Sequence, residues 1–165
     1  MSTDDVFNPQ CVDELRAAIQ HRATWMYLLI DEARKEGLNP EGFARRAITR
    51  CGRIHGNSKF DQTTDLENFA AQFASGSGKS IFEMEVIKRN PERFIVDFHH
   101  CPLVDAWSKL TDDQALISQL CDIAMDGDRG IINQFPNFKL DIEKTIAEGD
   151  QVCRLNISNS KTGHE

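Results

Sequence analysis

The sequence predicts an α+β fold, with about five helices packed on one face of a four-stranded antiparallel sheet made of two hairpins. Three observations predict it. Apolar residues recur at helical spacing through the first part of the chain and again over 102–134. The period drops to two over 82–98 and over 138–157, and each of these stretches is split by a turn signal. The alternating stretches come as hairpin pairs set apart by helices, a segregation that favours an antiparallel sheet over a parallel one.

Taken in order, Asn8 and Pro9 open the first helix, with Pro9 suited to an early helical position. Val12, Leu15, Ile19, Met26, Ile30 and Ala33 form its apolar face. Trp25, Tyr27, Leu28 and Leu29 widen that face, so the middle of the helix is expected to be well buried. Gly37 ends it. Pro40 starts a second helix with the stripe Phe43, Ala47, Cys51 and Ile54, and Gly56-Asn57 is expected to stop it. Thr63, Thr64 and Asp65 supply cap candidates for a short third helix with the stripe Leu66, Phe69, Ala70 and Phe73. The stretch 75–80 (SGSGKS) is not a phosphate loop. It lacks the G-x-x-x-x-G-K-[ST] spacing, and it follows a helix and precedes a strand, the reverse of the required order. It reads as a flexible connector.

Phe82, Met84 and Val86 then alternate with Glu83, Glu85 and Ile87. Asn90-Pro91 marks a turn, and Phe94, Val96 and Phe98 return. Two helices are expected over about 102–110 and 112–134. Phe138, Leu140 and Ile142 alternate, Glu148-Gly149-Asp150 turns, and Cys153, Leu155 and Ile157 form the last strand. The whole reads as a single domain over 9–158, with 1–8 and 159–165 as flexible termini.

Composition bounds the function. At 165 residues, one core can bury ~70% of the surface that the unfolded chain exposes, so neither disulfides nor a structural metal is needed. Apolar content of 40% and charged content of 27% exclude a disordered or collagenous chain. The longest apolar run, Trp25–Ile30, is far short of the ~20 residues of a spanning helix. Met1 leads to Asp4 and Asp5, not to a secretory leader. A net charge of -7 disfavours nucleic acid and anionic membranes as partners. The five cysteines are widely spaced with no C-x-x-C pair, which points to reduced thiols in a cytoplasmic protein.

Chemistry concentrates in three places. In Phe98-His99-His100-Cys101-Pro102, the pleat puts His100 on the core face and His99 on the other. Pro102 makes Cys101 the N-cap of the next helix, where the dipole would lower its thiol pKa and His100 could act as general base or proton donor. A buried cysteine beside a hydrogen-bonded core histidine is the competing reading. In CDIAMDGDRG (121–130), seven residues advance a helix almost two turns, so Asp128 falls on the face of Cys121 unless Gly127 breaks the helix. Asp122 and Asp126 lean toward water, and Asp128 could instead be a cap or pair with Arg129. In Glu148-Gly149-Asp150-Gln151-Val152-Cys153, Cys153 should face the core. A metal on His100, Cys101, Cys121 and Cys153 is disfavoured, because only the neighbours His100 and Cys101 are close in sequence. Residues 40–59 are locally basic. Arg50 there borders the core and could hold a substrate carboxylate, or could belong to a solvated face.

These segments resemble a known family, the bacterial L-2-amino-thiazoline-4-carboxylic acid hydrolases. The likeness is carried by FHHCPLVDAW (98–107), CDIAMDGDRG (121–130) and TIAEGDQVCR (145–154), with Trp25-Met26-Tyr27-Leu28-Leu29 and the stretch 32–37 in the first helix. It spans about 10–157. The Glu-Gly-Asp-x-x-Cys pattern is also similar to 4-vinyl-reductase-type ligand domains, which implies a related fold and a homodimer. The family resemblance implies a hydrolase that opens the C=N/C–N bond of a cyclic amidine, giving N-carbamoyl-L-cysteine on a cysteine-forming route, without cofactor. The expected catalytic residues are Cys101, His100, Asp128 and Cys121. The expected substrate contacts are Arg129, Arg50, His99 and Cys153. The alternative is a sensor domain that binds a small ligand or metal in a Cys/His-lined cavity.

Overall fold

The computed structural model describes residues 8–160. Helix α1 (Pro9–Lys35) starts where Asn8 accepts a hydrogen bond from the Gln10 N–H at 3.0 Å. It stops where Gly37 turns left-handed at φ +74°. Helices α2 (Glu41–Ser58) and α3 (Leu66–Phe73) follow, the latter capped by Asp65, which accepts from the Glu67 and Asn68 N–H groups. The stretch expected to be a connector instead forms a short helix, α4 (Gly76–Ile81), which buries Ile81.

Strands β1 (Met84–Arg89) and β2 (Arg93–Phe98) make the first hairpin, and β3 (Phe138–Lys144) and β4 (Cys153–Asn159) the second. Between them lie α5 (Pro102–Ser108), α6 (Gln114–Ala124) and α7 (Asp126–Ile132). The single long helix expected over 112–134 is thus interrupted, at Met125. The sheet order is β1-β2-β4-β3, antiparallel throughout, with Phe94 opposite Ile157 and Phe98 opposite Cys153. The fold is α+β. Asn8 and residues 159–160 belong to the ordered fold: Asn159 ends β4, and the Ser160 N–H donates to the Asn137 carbonyl at 2.8 Å. The rest of the expected flexible termini lies outside the described residues.

One sheet face is apolar and carries the helices. Phe94, Val96, Phe98, Leu155 and Ile157 pack there with Leu66 and Phe69 of α3 and with Ile132, Phe135 and Phe138. Phe69 and Phe135 meet edge to face at 4.9 Å, a contact worth about 0.5–1.5 kcal/mol beyond its burial. The opposite face is polar. Asp97 accepts two 2.7 Å hydrogen bonds from Arg154 on the adjacent strand, which hold its carboxyl below the usual carboxylate range. A second cluster joins Ala23 and Ile30 of α1, Trp107 of α5 and Ile117, Leu120 and Cys121 of α6. Trp107 Nε1 is satisfied there by the Ala23 carbonyl at 3.0 Å.

Three expectations about faces need correction. The middle of α1 is not well buried: Trp25 is 62% and Leu29 69% exposed. The stripe of α2 also faces outward, with Ile54 60% exposed. What α2 buries is Gly52 and Gly56, which lie against Gly127, Gly130 and Ile131 of α7. Gly56 therefore does not stop the helix; it lets two helix backbones touch. In the first hairpin, Phe82 caps α4 rather than starting a strand. Val86 is largely exposed, because β1 is an edge strand with a bulge between Val86 and Lys88.

Candidate active site

A cavity of about 370 Å³ lies where the two apolar clusters meet, a volume in the range of small-molecule sites. Its lining comes from α1 and α2, from α5 and the α6–α7 junction, and from residues at the ends of α3, β1, β2 and β4; Arg22 of α1 and Cys51 of α2 are exposed and mark its mouth. A third of the lining carries sulfur: Cys101, Cys121 and Cys153 share it with Met26, Met84 and Met125, and Cys51 is its exposed thiol. Phe98 and Trp107 complete the apolar surface.

Each thiol arrives by a different local rule. Cys101 is the N-cap of α5, set by Pro102 in the next position. Cys121 is buried on the inner stripe of α6. Cys153 opens β4, opposite Phe98, so the pleat turns it inward. The helix dipole does not win at Cys101. Burial pushes its thiol up, and the Val104 and Leu103 amides only partly oppose this. Burial raises Cys121 further, with the Cys153 and Cys101 sulfurs adding to it. It pushes Cys153 up to about 11, although the Ile146 N–H donates to that sulfur at 3.2 Å. All three are therefore neutral thiols near pH 7.

Asp128 lines the same cavity. Loss of water pushes its carboxyl up to about 6; its own backbone N–H and the Arg129 and Arg22 charges only partly oppose that. Its neighbours behave otherwise. Asp126 is buried rather than solvent-facing, held by Arg129 at 2.6 Å and Arg45 at 3.2 Å. Asp122 pairs with the same two arginines at 2.7 Å each. This network clamps α2 to the α6–α7 junction and leaves Asp128 outside it.

The remaining expected residues lie elsewhere. Arg129 is engaged by Asp122 and Asp126 and is not part of the lining. Arg50 is exposed on α2 and is not part of the lining. His99 follows the end of β2 and is exposed, 2.9 Å from Glu85 of β1. His100 turns toward α5, where Nε2 comes to 3.2 Å from Asp105 out of line for a hydrogen bond. Two basic side chains at the mouth went unread in the sequence, Arg22 of α1 and His55 of α2. Arg22 stands one helical turn before Met26, and that spacing was its only signal.

Among the described residues, no group of three or more His, Cys, Asp or Glu side chains is arranged to hold a metal ion. No helix among them is long and apolar enough to cross a membrane. No curated protein matches the chain. The sequence model of one family does match, that of the L-2-amino-thiazoline-4-carboxylic acid hydrolases, over residues 16–157. That range contains every cavity-lining residue named here, and the chain belongs to this family.

Proposed function

We propose that the protein hydrolyses a small cyclic amidine, L-2-amino-thiazoline-4-carboxylate or a close relative, to the N-carbamoyl amino thiol. The observation that carries this is Asp128, a carboxyl that burial pushes up to about 6 inside a small cavity rich in sulfur.

Atom balance selects the bond. N-carbamoyl-L-cysteine keeps both nitrogens of the substrate and frees its sulfur. Water therefore adds to the C=N carbon and the ring C–S bond breaks, rather than a C–N bond, and no ammonia leaves. Asp128 takes a proton from the attacking water and returns one to the departing group, so the step is neutral overall. Water is the nucleophile on this reading, because the neighbouring thiols are protonated. The thiols and methionines offer a polarisable wall for the ring sulfur.

The test is turnover of L-2-amino-thiazoline-4-carboxylate in ¹⁸O-labelled water, read by mass spectrometry, with Asp128→Asn alongside. The expected result is one ¹⁸O in the carbamoyl group, one new small-molecule thiol and no ammonia, with turnover lost in a folded Asp128→Asn. Ammonia release, or full turnover by Asp128→Asn, overturns the chemistry. No turnover by folded wild type overturns the hydrolase reading.

A further inference from the structure

The thiols and Asp128 leave one permanently charged side chain of the cavity lining outside any ion pair of the described residues. Arg22 lines the mouth, and none of the ion pairs among the described residues includes it. The arginines around it are committed or remote. Arg16 is tied to the Ser80 and Ile81 carbonyls and to Glu83, and Arg45 and Arg129 to the acidic pair at the α6–α7 junction. Arg50 is exposed and is not part of the lining.

A guanidinium at the exposed side of a mostly apolar cavity recognises a planar anion in preference to a neutral group. Asp128 repels that anion from the inner wall, so the two charges impose a direction: anion at the mouth, ring inside. We propose that Arg22 is the anchor for the ligand carboxylate, and that the cavity selects small sulfur heterocycles bearing a carboxylate over the same rings without one. The identity of the ring rests on the hydrolase reading above; the anchoring does not.

The probe is L-thiazolidine-4-carboxylate, compared with thiazolidine, by titration calorimetry. Neither ring has an amidine carbon, so neither is a substrate for the proposed reaction. Wild type is expected to bind the carboxylate at least about tenfold more tightly than thiazolidine, as a charge-assisted hydrogen bond supports. Arg22→Gln should lose that preference while its affinity for thiazolidine stays the same, and Arg22→Lys should keep part of it. Arg50→Gln should leave the preference intact. Arg22 is exposed, so both variants should melt with wild type. A preference retained by Arg22→Gln, a preference lost in Arg50→Gln, or no binding of either probe by wild type overturns the assignment. A preference that depends on Arg22, in a protein that fails to turn over the amidine, keeps the anchor and removes only the hydrolase reading.

Discussion

Gly52 of α2 and Gly127 of α7 meet backbone to backbone: a Cβ on Gly52 would overlap the Gly127 carbonyl oxygen. A Cβ on Gly130 would likewise strike the Thr49 carbonyl. This contact fixes the depth of α7, and with it the position of Asp128, one residue beyond Gly127.

The two glycines are not equivalent. A Cβ on Gly127 would meet only Ile48 Cγ2, at 3.6 Å, an ordinary contact. Gly52→Ala should therefore cost about 2–4 kcal/mol, since backbone cannot move aside as a side chain can. Gly127→Ala should be neutral or stabilising by up to about 1 kcal/mol, through helix propensity. Urea unfolding of both variants checks this, and equal losses would contradict the packing described.

Asp128 should weaken the fold at neutral pH. Its folded pKa lies above the unfolded value, so folding disfavours the ionised form. The penalty is absent below about pH 4, grows as pH rises, and is complete above about pH 6. Asp128→Asn should raise stability by about 1–2 kcal/mol at pH 8 and by nothing at pH 3.5. Melting temperature against pH reads the difference; an Asn variant less stable at pH 8 would mean that the carboxylate has a partner in the fold.

The same titration should shape the rate. If ionised Asp128 is the base, kcat/KM falls tenfold per unit below about pH 6 and levels off above it. The Arg22 charge holds this pKa down, so Arg22→Gln should move the limb to higher pH. A limb that stays in place in Arg22→Gln would separate the two groups electrostatically.

The cavity thiols should be sluggish. At pH 7, iodoacetamide should modify exposed Cys51 well before buried Cys121 and Cys153, as peptide mapping would show. Cys101→Ala should keep turnover within about tenfold, because water attacks. A complete loss in a folded Cys101→Ala would restore a covalent thiol mechanism.

What the sequence disclosed, and what it hid, follows from range. The alternation around Phe94–Phe98 and Cys153–Ile157 is local, so the hairpins and the inward thiol of Cys153 were readable. Asn8 and Asp65 act within three residues of themselves, and those caps were readable too. Asp128 shares a cavity with Cys121 despite the interruption of the helix. Met125, at φ -64° and ψ -14°, stays right-handed helical, so the break does not reset the direction of the face. The orientation of α2 was hidden because periodicity weighs large residues, whereas this helix buries its smallest. Arg129 and His100 turn to carboxylates three to seven residues away, Asp126 and Asp122 for Arg129 and Asp105 for His100, so these partners lay within local range and what stayed hidden was which neighbouring carboxylate each side chain meets.

The strand order has a consequence for how the molecule is made. β4 comes last of the four strands in sequence, yet it lies between β2 and β3. A chain ending at Lys144 holds the β1–β2 hairpin and β3 with no strand to join them, and it lacks one residue of the cavity lining, Cys153. The four-stranded sheet is complete only when residues 153–159 fill the gap between β2 and β3.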